Sequence, residues 1–91
     1  MNVDLEEIKR RLVAGKSDEA ISLLTCFVRE NPFSDEGFFL LGNAYRKKEN
    51  WEFALNNYRQ AMDLNPDSPA KYAYKMVIDI LNFYNKEMFN H

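Results

Sequence analysis

Side chains that could act on a substrate are few, and their spacing does not bring them together. Cys26 is the single thiol and His91 the single imidazole of the 91-residue chain. Neither has a second cysteine or histidine at metal-ligand spacing. No glycine-rich phosphate loop, nucleophile elbow or zinc motif is written in the sequence. The carboxylates read as helix caps and solvated faces, not as an acid–base pair. We therefore expect no catalytic residues, no metal, no cofactor and no enzymatic activity. Two basic triplets, Lys9-Arg10-Arg11 and Arg46-Lys47-Lys48, have the chemistry to meet phosphate. Each falls toward the end of an expected helix, where cations complement the backbone dipole, and is read as structural. Trp51 reads as a packing residue at a turn, and Phe33, after Pro32, as a hydrophobic staple.

Composition sets what must hold these residues. Twelve basic and 14 acidic side chains leave a formal net charge of −2. So small a charge gives no field to draw in nucleic acid or anionic lipid. Hydrophobic residues make up 46% and charged residues 29%, a globular balance that supports one core and hence one domain at this length. Three glycines and three prolines favour long uninterrupted helices over a sandwich with many tight turns. The opening MNVDLEEIKRRL has acids where a signal peptide needs a basic stretch and an apolar core, and no apolar run approaches membrane-spanning length. The lone cysteine suits a reducing compartment. A cytoplasmic location without membrane attachment is expected.

Comparing the chain with itself reveals an offset of 34 residues. It carries Ala20 to Ala54, Asn31-Pro32 to Asn65-Pro66, and Ser34 to Ser68. The second copy is the more regular: Phe38-x-x-Leu41-Gly42-x-x-Tyr45, then Ala54-x-x-x-Tyr58-x-x-Ala61, then Pro66. Gly42 and Ala54 leave room for two antiparallel helices to cross closely, with Phe38, Tyr45 and Tyr58 filling the space around them. This pattern resembles the tetratricopeptide repeat at every signature spacing. The first copy is looser. Ala20, Leu24, Phe27 and Pro32 fit, with Gly15 at the inter-helix turn, but Asp4, Glu7, Ile8 and Arg11 occupy its first-helix signature positions. A narrow stripe of Leu5, Ile8 and Leu12 still predicts a helix there, capped by Asp4 and Glu7.

The resemblance implies an all-α fold, a right-handed superhelical stack of antiparallel helix pairs. Five helices are expected near 4–14, 17–30, 35–48, 51–64 and 69–89, with Ser17, Ser34, Asn50 and Ser68 as N-caps and Pro69 opening the last. Residues 1–91 then form a single domain: repeat one 1–34, repeat two 35–68 and a capping helix 69–91.

That last helix is apolar over roughly 240° of its circumference. In the repeat register Tyr72, Ala73, Met76 and Ile80 point back onto repeat two, while Lys71, Lys75, Asp79 and Asn82 form a polar end cap. Tyr74, Val77, Leu81, Tyr84 and Met88 are left over. Two readings account for this surplus: further core, or an exposed patch that meets a partner or a second copy of the chain.

The family binds polypeptides along the concave face of its successive first helices. By resemblance, that groove comprises Leu5, Lys9 and Leu12; Phe39, Leu40, Asn43, Arg46 and Lys47; and Tyr74, Val77 and Leu81. One subgroup clamps C-terminal carboxylates with Lys, Asn and Arg. Here the matching positions hold Leu5, Lys9, Leu40, Ala73 and Val77, which disfavours that ligand and favours a more apolar one. The expected function is a non-enzymatic scaffold or adaptor binding a peptide or helix of another protein. The alternative is a homodimer formed through residues 74–88.

Overall fold

The computed structural model describes residues 4–89, and all regular structure among them is helical. Helix α1 spans Leu5–Val13, α2 Ser17–Glu30, α3 Asp35–Lys47, α4 Trp51–Leu64 and α5 Ala70–Phe89. Every boundary lies within one residue of the sequence expectation, because each helix begins and ends on a chemically definite signal.

The turns inside the two helix hairpins are built alike. Gly15 (φ 82°) and Glu49 (φ 59°) are both left-handed and occupy equivalent positions. After α1, Gly15 N–H donates to Leu12 O at 3.1 Å and Lys16 N–H to Arg11 O at 2.9 Å. After α3, Glu49 N–H donates to Arg46 O and Asn50 N–H to Tyr45 O, both at 2.9 Å. Each is a Schellman closure, which satisfies the last carbonyls of a helix but needs one residue at positive φ. Glycine adopts that conformation freely; glutamate does so at a steric cost.

The longer helices also end alike, with Asn31 N–H on Phe27 O at 2.8 Å and Asn65 N–H on Ala61 O at 2.9 Å. Proline then prevents continuation. Ser34 Oγ caps α3 by accepting from Gly37 N–H at 3.1 Å, and buried Ser68 accepts from Ala70 N–H at 3.1 Å. Asp4 and Asn50 cap α1 and α4 through the amides of Glu7 and Phe53. Two expectations fail here. Lys16, not Ser17, stands at the N-cap of α2 and makes no side-chain capping bond, because the α1 closure already uses Lys16 N–H and makes Ser17 the first helical residue. Phe33 is 84% exposed, so it is not a staple.

Two apolar clusters form the core. The first joins Ile8, Leu12, Ala20, Leu24, Leu40, Leu41 and Ala44; the second joins Ala54, Tyr58, Ala61, Ala70 and Val77. Phe39 and Tyr45 pack against both and make them continuous. The expected stripe of α1 is present, with Ile8 and Leu12 buried and Leu5 packed against them. Divergence at Arg11 has a physical cost: its terminal nitrogens pair with Glu7 and Glu19, but its Nε is buried without a partner. The α3–α4 contact is the most extensive of the helix pairings. At its centre, a Cβ placed on Gly42 would stand 2.5 Å from the Tyr58 ring.

The orientation of α5 differs from the expectation. Its inward line is Ala70, Ala73, Tyr74, Val77 and Leu81, all in or against the second cluster. Tyr72 and Met76, expected to point back onto the preceding hairpin, are instead 70% and 42% exposed. The reason lies in the register. These positions correspond to Phe38 and Gly42, which face α4 within their own hairpin, and among the described residues α5 has no such companion. Lys71, Lys75, Asp79 and Asn82 are exposed as expected, but not as an all-polar edge. His91 and the side chain of Met88 lie outside the described residues.

Two stability measurements follow by thermal denaturation. Gly42→Ala should destabilise by about 1–3 kcal/mol, because the Tyr58 ring has a well-packed site and cannot retreat freely. Glu49→Gly should stabilise by about 0.5–1 kcal/mol, the relieved left-handed strain exceeding the added freedom of the unfolded chain.

Candidate binding groove

The expected groove positions lie on α1, α3 and α5, and several of their groups are held by bonds between elements. On α1, Lys9 Nζ reaches Glu36 Oε2 of α3 at 2.9 Å and Glu6 Oε1 at 3.1 Å. Both carboxylates raise the lysine pKa, with Glu36 the larger influence. Beside Glu36, a recess of about 340 Å³ is lined by Asp35, Phe39, Ser68 and Pro69, joining the N-terminal ends of α3 and α5. A shallower recess of about 430 Å³ lies along α1, between Glu6, Lys9, Arg10, Val13 and Ala14.

The centre of the face rests on Tyr58, whose side chain is buried under α3. Its hydroxyl donates to Asn43 Oδ1 at 2.5 Å and accepts from Arg46 Nε at 3.1 Å. Burial pushes the phenol pKa up, with Arg46 acting in the opposite sense. The hydroxyl therefore stays protonated at neutral pH and keeps its proton for Asn43. This leaves the Asn43 amide hydrogens and the outer Arg46 nitrogens available for a ligand. Farther along, Arg59 donates to the Tyr74 hydroxyl at 2.7 Å while lying 5.6 Å from that ring's centroid. The pair fixes the α5 side of the face.

Eight of the eleven expected groove residues keep exposed surface: Leu5, Lys9, Phe39, Asn43, Arg46, Lys47, Tyr74 and Leu81. The other three do not. Leu12 is 5%, Leu40 6% and Val77 0% exposed. They are core residues: Leu12 and Leu40 join the first cluster with Ala20 and Leu24 of α2, and Val77 joins the second with Ala54, Tyr58 and Ala61 of α4. Their removal makes the face narrower and more polar than the sequence implied. Sequence reasoning also missed Glu36, Tyr58 and Arg59. Glu36 could have been found from its place on α3; the roles of Tyr58 and Arg59, both on α4, needed the directions in which their side chains reach toward α3 and α5.

A chain of short helices packed chiefly on their sequence neighbours, with a 34-residue repeat, defines a helical-repeat protein. The comparisons with known proteins supply the particular family. A family model described as a TPR repeat matches residues 42–74. Tetratricopeptide repeat protein 16 of Mus musculus is 24% identical over 90 residues, or 96% of this chain, although the chain spans only 12% of that relative's length. The solution NMR structure of the Bacteroides fragilis protein BF1650 is similar with a TM-score of 0.85 and 50% identity, covering 98% of this chain and 91% of that one. The chain belongs to the tetratricopeptide-repeat family. Such repeats generally mediate protein–protein interaction. No helix among the described residues is long and apolar enough to cross a membrane, and none of their His, Cys, Asp and Glu side chains group to hold a metal ion.

The Tyr58 bonds have a pH signature. A raised folded-state pKa leaves stability intact below the unfolded phenol value of about 10 and erodes it as pH rises beyond that. In urea titrations from neutral to alkaline pH, Tyr58→Phe should lose about 1 kcal/mol at pH 7 and fall less steeply than the parent above the phenol pKa.

Proposed function

We propose that the chain is a non-enzymatic adaptor whose α1–α3–α5 face holds an extended peptide or short helix of another protein, with Leu5, Phe39 and Leu81 as apolar contacts. One observation carries this reading: the buried Tyr58 hydroxyl holds Asn43 and Arg46 in place before any ligand arrives. Preorganised donors bind a peptide backbone with less ordering cost than mobile ones. In this reading residues 1–34 and 35–68 are the two repeats and 69–91 the closing helix. A cytoplasmic setting suits the lone exposed thiol of Cys26.

The face is also charged asymmetrically. Asp35 and Glu36 stand at one end of α3 and Arg46 and Lys47 at the other, roughly 15 Å apart at 1.5 Å per residue. A bound segment with a basic end over Asp35 and an acidic end over Arg46 satisfies both. Peptides selected from a displayed random library against residues 1–91 test this. Their affinity should fall about tenfold or more with Asn43→Ala combined with Lys47→Glu, at unchanged helicity, and hold with Arg29→Glu on exposed α2. Selected peptides indifferent to the groove substitutions would refute the reading.

A further inference from the structure

Opposite its buried line, α5 presents a second stripe: Tyr72, Lys75, Met76, Asp79 and Phe83, at spacings of three, one, three and four residues. Tyr72 and Phe83 are 70% and 62% exposed and Met76 is 42% exposed. Three large apolar side chains on one outward helical line are a surface that water leaves unsatisfied. In the 34-residue register this is the face that α4 covers on α3, with Tyr72 matching Phe38 and Met76 matching Gly42.

That correspondence excludes a repeat-type second helix as the natural occupant. On α3 the companion helix approaches closely only because Gly42 has no side chain to meet the Tyr58 ring. Met76 fills the equivalent place on α5. An occupant must therefore sit farther out and interdigitate with a methionine and two aromatic rings, as helices do when side-chain ridges mesh.

The order of residues on the stripe indicates which helix that is. A two-fold axis crossing α5 between Val77 and Ile78 brings Tyr72 opposite Phe83 of a second copy and Phe83 opposite its Tyr72. The same axis sets Met76 beside the other Asp79 and places Lys75 within one residue of the other Asp79, so that both ends of the pairing carry an aromatic contact and both flanks an opposite-charge pair. A parallel arrangement sets lysine against lysine. Head-to-tail stacking sets the stripe against α1, where Glu6, Glu7, Lys9, Arg10 and Arg11 are engaged in ion pairs and Val13 is the one large apolar side chain exposed among the described residues of that helix. We infer that the outward stripe of α5 is an isologous dimer interface, in which two copies of this chain pair antiparallel about Val77–Ile78.

This surface is distinct from the groove: Tyr74 and Leu81 lie on the inward side of α5, so pairing leaves both grooves open. It narrows the expected 74–88 interface to the outward residues of that span, because Val77 is core and Tyr74 and Leu81 pack against the second cluster.

Light scattering coupled to gel filtration of residues 1–91, from micromolar to millimolar concentration, tests the inference. The expected mass is twice the 10.8 kDa of one chain at the upper end, reverting to a single chain on dilution and with Met76→Glu. The exposed charge swaps Lys75→Asp and Asp79→Lys should each weaken the dimer by several-fold, and the double swap should restore it. Circular dichroism should show the parent helix content throughout. A single-chain mass at all concentrations overturns the inference and leaves the stripe to another protein or to a neighbouring segment of a longer polypeptide. A dimer unaffected by Met76→Glu overturns it too, and a double swap that fails to restore association overturns the antiparallel register.

Discussion

Everything in the centre of this molecule depends on a ring seated against a backbone. Gly42 offers no side chain, Tyr58 fills the vacancy, and the α3–α4 crossing follows from that approach. The same contact decides where the phenol hydroxyl emerges. Because the ring is seated under α3, its oxygen comes up beside Asn43 and Arg46 and orders them. Packing in the core and hydrogen bonding on the surface are thus two ends of one side chain. A smaller residue at position 58 loses both, and a larger one at position 42 displaces both.

Chain punctuation made the helices legible. Asn-Pro at 31–32 and 65–66, serine at 34 and 68, and glycine at 15 act through local backbone physics, which is the same wherever the residues occur. Burial is a different matter. Leu12, Leu40 and Val77 looked like groove residues because a family position says which way a side chain points, not how close the next helix stands. Helix α5 was the hardest to orient. With apolar residues around most of its circumference, periodicity gives no direction, and the direction came from a missing neighbour: positions that face a companion in the hairpins have none here. The polar frame around Tyr58 was illegible for a third reason, since it depends on a hydroxyl reaching between helices, 12 and 15 residues from its partners.

The two ends of the stack are finished by different means. The α1 end is covered by ion pairs, which water tolerates in any arrangement and which contribute little to stability. The α5 end combines an exposed apolar stripe with a few charges. One end therefore offers little to a further helix and the other offers more, and the α5 pairing inferred above closes on itself instead of propagating into a filament.

Helix contacts run chiefly between neighbours: α1 with α2, α2 with α3, α3 with α4, α4 with α5. No distant parts of the chain must find one another before structure is rewarded, so the search for the folded state is short. The same linearity sets an order of loss. Unfolding works inward from either end like a seam opening at its last stitches, and the α3–α4 hairpin, with the broadest contact and the seated ring, holds longest. Slow amide exchange concentrated there, with progressively faster exchange toward α1 and α5, is the record such a molecule leaves in heavy water.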